Sequence, residues 1–250
     1  MRTIVRSMLL VPLAATSAVL AQAAVPAGAA DAWPKAATVS TASWYLRNEV
    51  GGNLIPSISL ADRSTTDGVN VVSISGASLS MDAGVAWNIA FGWKMNDMLG
   101  IEVSSGISYN SFDYVTGTVD LNGTAETGSV GVDGSLLQVP ILAGPRLELP
   151  VGDSLRINLG ASVGAICLHG QLDSTFNTGA GSFTLDGSDT SWAFAYSATF
   201  GLDWAVAPSV GVGVAYRFLG TTSAGFAEGD FIEADAIYNQ QVMATVTLRF

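Results

Sequence analysis

From Trp192 to Trp204 the chain reads W-A-F-A-Y-S-A-T-F-G-L-D-W, with Trp192, Phe194, Tyr196, Ala198, Phe200, Leu202 and Trp204 on one parity. Ala193, Ala195, Ser197, Thr199, Gly201 and Asp203 fall on the other. Successive side chains of a β-strand point to opposite faces, so this stretch has one large apolar face and one small or polar face. Strands in soluble sheets usually run about 5–6 residues, and this one is about twice as long. The same alternation recurs over 238–250, 210–218, 155–165, 139–149, 99–110 and 85–94. A weaker copy covers 43–52, where Asn48 interrupts the apolar parity of Trp44, Leu46 and Val50. Eight strands are predicted.

The spacing between them predicts the topology. Residues 95–98, 150–153 and 207–209 are tight turns, whereas 53–82, 113–134, 169–190 and 221–237 are long connections. Short and long alternate, as in a membrane barrel with short periplasmic turns and long extracellular loops. Trp192 and Trp204 share a face twelve residues apart, as do Tyr238 and Phe250. Twelve residues at about 3.3 Å each span about 40 Å along a strand. A tilt of about 45° leaves roughly 28 Å along the membrane normal, close to an apolar band about 25 Å tall with aromatic girdles. The expected fold is all-β: an eight-stranded antiparallel up-and-down transmembrane β-barrel over 43–250. Both termini are expected in the periplasm.

Composition narrows the function. The 250 residues are 49% hydrophobic and only 12% charged, against about 25% charged in soluble domains. Disorder is excluded by the apolar content. Ten basic residues against twenty-one acidic ones have the wrong sign for nucleic acid. One cysteine excludes a disulfide scaffold, and one histidine leaves little for histidine-based catalysis. Arg2 and Arg6, an apolar stretch from 8 to 20 and Ala21-Gln22-Ala23 read as a secretory signal peptide over 1–23. Ala27-Gly28-Ala29 offers a later cleavage at 29/30, and 24–42 reads as a short periplasmic leader. Past the signal no run of about 18 apolar residues exists, so no helix spans a bilayer.

Charges follow the strand parity. Arg47, Lys94, Arg146, Arg156, Arg217 and Arg249 fall on the small-polar face together with Glu49, Glu102, Glu148 and Asp203. A charge facing lipid at mid-bilayer costs several kcal/mol, so this face is expected to line the lumen. An eight-stranded barrel is just wide enough for side chains to fill it, and the ten charges are expected to form a structural network with the pore closed. The four long connections hold fourteen acidic residues against the single basic Arg63. Glu228, Asp230, Glu233 and Asp235 cluster there but lack EF-hand spacing, so no metal site is assigned. Cys167 and His169 share the lipid-facing parity, Cys167 as a small apolar filler. Barrel enzymes that deacylate lipid A place a serine two residues after the histidine, whereas here that position is Gln171. No catalytic residue and no cofactor are therefore assigned.

Four stretches, taken in order, resemble the opacity-type and OmpA-like outer-membrane barrel domains of Gram-negative bacteria. They are Trp44-Tyr45-Leu46-Arg47; Phe91-Gly92-Trp93-Lys94 through Asn96-Asp97 into Leu99-Gly100-Ile101-Glu102; Ala215-Tyr216-Arg217-Phe218-Leu219; and Val246-Thr247-Leu248-Arg249-Phe250. Each motif is short, and the order and spacing across 43–250 carry the resemblance. It implies a surface-exposed, non-enzymatic protein of the bacterial outer membrane serving adhesion, host contact or envelope integrity. Its surroundings would be outer-membrane lipid and lipopolysaccharide, with no assigned extracellular ligand. The chain stops at the last barrel strand, so the peptidoglycan-binding domain of many OmpA-like proteins is not carried over. The resemblance also implies that the strand end, with Tyr238, Val246, Leu248 and Phe250 on one face, is read by the β-barrel assembly machinery. A lipid-modifying barrel enzyme and a narrow porin-like channel are the competing readings.

Overall fold

A computed structural model describes residues 44–66, 71–121, 124–178, 181–226 and 232–250. The expected signal peptide and the whole of the leader lie outside the described residues. Eight long strands form the body: β1 (Trp44–Leu54), β2 (Gly84–Lys94), β3 (Leu99–Leu121), β4 (Asp133–Val151), β5 (Leu155–Thr178), β6 (Gly181–Ala207), β7 (Val210–Thr221) and β8 (Tyr238–Arg249). Each pairs antiparallel with its neighbours in sequence, and β1 also pairs with β8, from Tyr45 opposite Arg249 to Leu54 opposite Gln240. The ring is closed, which removes the open edges that a bilayer cannot satisfy. This is the eight-stranded antiparallel up-and-down barrel that the alternation predicts.

Inside and outside follow the parity. Large outward side chains stay uncovered, among them Trp192 at 63% exposure, Trp204 at 59%, Val242 at 65% and Phe250 at 62%. Charged and amide side chains of the opposite parity are buried. That is the reverse of a soluble protein, where apolar groups are buried and charges exposed. Asn48, the exception in β1, accepts a hydrogen bond from the indole Nε1 of Trp87 at 3.0 Å. Its amide is thus partnered on the apolar face.

Two prolines mark the wall. Pro140 and Pro145 lie within β4 and cannot donate to a ladder. Pairing of β4 with β3 skips from Ser105–Ile141 to Ser108–Gln138 beside Pro140. Pairing with β5 skips from Ala143–Val163 to Arg146–Gly160 beside Pro145. Each proline interrupts one side only, and the other ladder holds the strand. Arg249 N of β8 donates to Ser209 O at 2.8 Å and so ties the 207–209 turn to that strand, and Gly152, at φ 78°, makes the turn between β4 and β5.

The long connections differ from expectation. The 169–190 segment is not a loop: β5 and β6 run on as a hairpin, with Gly181 pairing Thr178. β3 continues to Leu121 and pairs with Thr124–Gly131 and with Val71–Met81, so 53–82 and 113–134 also carry strands. Period-two apolar patterning detects strands with one greasy face. In β3 that contrast runs past the wall, since Val115, Val119 and Leu121 alternate with Thr116, Thr118 and Asp120, and it was the available signal for the extension of this strand.

Candidate functional site in the barrel lumen

Alternation brings all ten predicted luminal charges to the interior. Each strand supplies them at i, i+2 spacing, as in Arg47 and Glu49 of β1 or Arg146 and Glu148 of β4. Glu102 of β3 is the hub: its Oε1 accepts from Arg47 Nη2 at 2.7 Å, and its Oε2 from the Tyr45 hydroxyl at 3.1 Å and Arg146 Nη1 at 3.4 Å. Arg47 Nε lies 3.2 Å from Glu49, which Arg217 Nη2 reaches at 3.0 Å. Arg146 spans the lumen to Asp203 at 3.2 Å and to Glu148 at 3.5 Å, with its guanidinium 5.7 Å over the Tyr45 ring. Asp203 also accepts from the Thr245 hydroxyl at 3.1 Å. Glu148 holds Lys94 Nζ at 2.6 Å and Arg156 Nη1 at 3.0 Å.

Arg249 is the one predicted luminal charge that is not brought into an ion pair among the described residues; it is 4% exposed. Sequence parity located the network but not its pairing, which depends on how strands of different register face each other across the ring. Tyr45 was missed, although it sits two residues before Arg47 on the same parity.

Toward the long-connection end the interior changes character. An amide layer comes first. Gln138 Oε1 accepts from the Ser108 hydroxyl at 2.9 Å and from Asn239 Nδ2 at 2.6 Å, and Asn53 Nδ2 donates to Asn110 Oδ1 at 2.6 Å. Interleaved with it, and continuing toward the long connections, is a plug of buried apolar side chains. Leu136 and Leu142 of β4, Ile166 and Leu168 of β5 and Leu219 of β7 all belong to it. The connection between β1 and β2 folds Ile55, Ile58, Leu79 and Met81 onto them, and Ile237 joins from beside β8. The plug was not anticipated, because these residues make their strands apolar on both parities and blur the alternation. Ile166 and Leu168, which continue the Gly160–Ser162–Gly164 luminal series, were the available signal.

At the opposite mouth Tyr45, Lys94, Asn96, Met98, Leu99, Gly100, Arg146 and Glu148 enclose a cleft too narrow for a water molecule. Charged side chains thus fill the interior at this end and apolar packing fills it at the other.

The remaining candidates lie elsewhere. His169 faces outward on β5, and its Nδ1 is 2.9 Å from the Thr190 hydroxyl of β6. Cys167 is a half-buried free thiol opposite Trp192 and Val139. Among the described residues no group of three or more metal-ligating side chains converges; Glu228 and Asp230 lie outside them. Tyr238 on the outer face of β8 and Phe250 just past its end are exposed, while Val246 on the same face is only 7% exposed. Trp44 stacks on Phe91 at 5.1 Å, and Phe218 on Tyr238 at 5.8 Å, forming aromatic clusters near opposite ends of the wall.

No family model matches the chain, and no curated protein does. Solved structures similar to it include small outer-membrane barrels and the outer-membrane protease OmpT of Escherichia coli. Neisserial surface protein A is 16% identical, over 83% of this chain and 97% of that one, with a TM-score of 0.45. The attachment invasion locus protein Ail of Yersinia pestis, solved with the heparin analogue sucrose octasulfate, is 15% identical. That match covers 83% of this chain and 99% of Ail, with a TM-score of 0.41. OprG from Pseudomonas aeruginosa is 13% identical over 86% of this chain and all of its own, with a TM-score of 0.42.

Proposed function

We propose that the chain is a non-enzymatic outer-membrane barrel: a sealed anchor that carries acidic extracellular arms for adhesion, surface contact or envelope integrity. The observation that carries this reading is the inverted burial of a closed ring, with tryptophans uncovered outside and ten charges inside. Only a hydrocarbon solvent makes that arrangement favourable. Residues 1–23 are read as the signal peptide, and the short turns and both termini are placed in the periplasm. The luminal charges hold the barrel rigid, and outer-membrane lipid and lipopolysaccharide surround it.

The channel reading is disfavoured by the apolar plug, because a hydrophobic constriction excludes water and with it ions. The enzyme reading is disfavoured by His169, whose hydroxyl partner is Thr190 on the next strand rather than a serine two residues on. A surface ligand of polyanionic character, such as the heparin analogue held by Ail, suits this chain poorly. Fourteen acids against Arg63 in the long connections would repel it.

The test is separation of inner and outer membranes combined with protease shaving of intact cells. Recovery in the outer membrane, with cleavage confined to the arms, is the expected result. Recovery in the soluble periplasm overturns the proposal. Planar-bilayer recordings of the purified protein should show no large steady conductance.

A further inference from the structure

The luminal charges divide unevenly. Arg47, Arg146 and Arg217 match Glu49, Glu102 and Asp203 one for one through their ion pairs. Lys94, Arg156 and Arg249 are left with Glu148 alone, which already holds Lys94, Arg156 and a longer contact to Arg146. The whole luminal surplus of two positive charges therefore sits at the short-turn end.

Polar atoms without partners occur along the lumen, Arg47 Nε, Arg146 Nε, Arg217 Nε and Gln138 Nε2 among them, and Arg249 is the arginine with two. Arg249 Nε and Nη1, Arg156 Nε, both amide atoms of Asn158 and the Thr247 hydroxyl are buried without a hydrogen-bond partner. Asn158 is two residues from Arg156 along β5, and Thr247 two from Arg249 along β8, so each strand presents a pair to the lumen. Arg249 lies within electrostatic reach of Glu148, Asp203 and Lys94 yet pairs with neither acid. Its guanidinium rests over Gly211, where any Cβ would collide with Nη1. A buried, unpaired guanidinium is strongly unfavourable.

We propose that the short-turn mouth of the lumen binds a tetrahedral oxyanion of the phosphate class, held by Arg249 and Arg156 with Thr247 and Asn158 as neutral donors. A dianion matches the local surplus of two. Arginine suits the geometry, because its planar fork engages phosphate oxygens in pairs. The side chains of Arg156 and Lys94 keep 15% and 11% of their surface open at the mouth, the side from which an anion would approach. The oxyanion comes either from free phosphate or from a phospholipid headgroup at the rim. This inference rests on the barrel itself and not on the surface role of the arms.

The experiment uses the full barrel refolded in a phosphate-free nonionic detergent, with the heat-dependent gel shift as proof of closure. Inorganic phosphate is titrated calorimetrically into the wild type, R249M and R156M. In parallel, protein extracted from membranes is assayed for bound phosphorus. A single saturable phosphate site in the wild type, weakened about tenfold or more in either closed variant, supports the proposal with free phosphate as the source. Stoichiometric phosphorus that survives extraction of the wild type and is lost from R249M or R156M supports it with lipid as the source. R156M keeps the test decisive if R249M fails to close. A flat titration together with phosphorus-free, closed wild-type protein overturns it, and so does binding that neither substitution weakens. Failure of the gel shift in the wild type would instead count against the barrel.

Discussion

The two halves of the lumen solve the same problem by opposite means. Near the short turns, side chains that would prefer water are packed where little water reaches, and all the charged ones but Arg249 are held in ion pairs. Near the long connections, side chains that avoid water are packed together, and no partner is individually required. Buried charges penalise the loss of one member, because the remainder stays desolvated and unmatched. Apolar packing degrades in proportion to the volume removed. The charged half thus specifies which strands face each other, and the apolar half seals the barrel and tolerates variation.

The sharpest way to break the contrast is to exchange the chemistries. Ile166→Asp places an unpaired carboxylate in the plug and should prevent closure, read as loss of the heat-dependent gel shift on refolding; a normal shift would show the plug to be wetter than its packing indicates. Next in size is Arg146→Met, which strands Asp203 without its one ion pair and removes a contact each from Glu102 and Glu148, and should cost about 3–5 kcal/mol in urea unfolding. Leu168→Ala should cost about 2–4 kcal/mol with closure intact, since only a cavity is left. Arg156→Met leaves Glu148 with Lys94 and Arg146 and sits partly open to the mouth, so about 1 kcal/mol or less is expected. Asp153→Asn, in the exposed turn between β4 and β5, should leave the unfolding midpoint unmoved. If Arg146→Met cost no more than Leu168→Ala, the distinction between the halves would fail.

The sequence made part of this contrast legible. Every luminal charge could be placed, because Arg217 or Glu102 alternates with residues such as Tyr216 or Ile101 and one parity cannot face lipid. The plug could not be read the same way, because Leu142 lies between Ile141 and Ala143 and nothing local says which way an apolar residue points. Extension of β5 and β6 into an arm was equally hidden. The Asp173–Asp186 register is fixed by backbone pairing rather than by a buried face. The lone state of Arg249 required the closed ring, since its nearest acids come from β4 and β6.

The ring closes where Trp44 and Phe250 exchange backbone hydrogen bonds, Trp44 N to Phe250 O at 3.2 Å and Phe250 N to Trp44 O at 3.0 Å. Those two residues are separated by nearly the whole described chain, so the contact that completes the structure is also the most distant in sequence. Loop-closure entropy must be overcome before such a pairing gives anything back, which makes folding slow. Until then each partial sheet carries two unsatisfied edges able to pair with a neighbouring chain. Time, more than final stability, is therefore the hazard this molecule faces: between synthesis and insertion it has no half-built state that is safe to occupy, and survival depends on being kept from pairing at all until β8 meets β1.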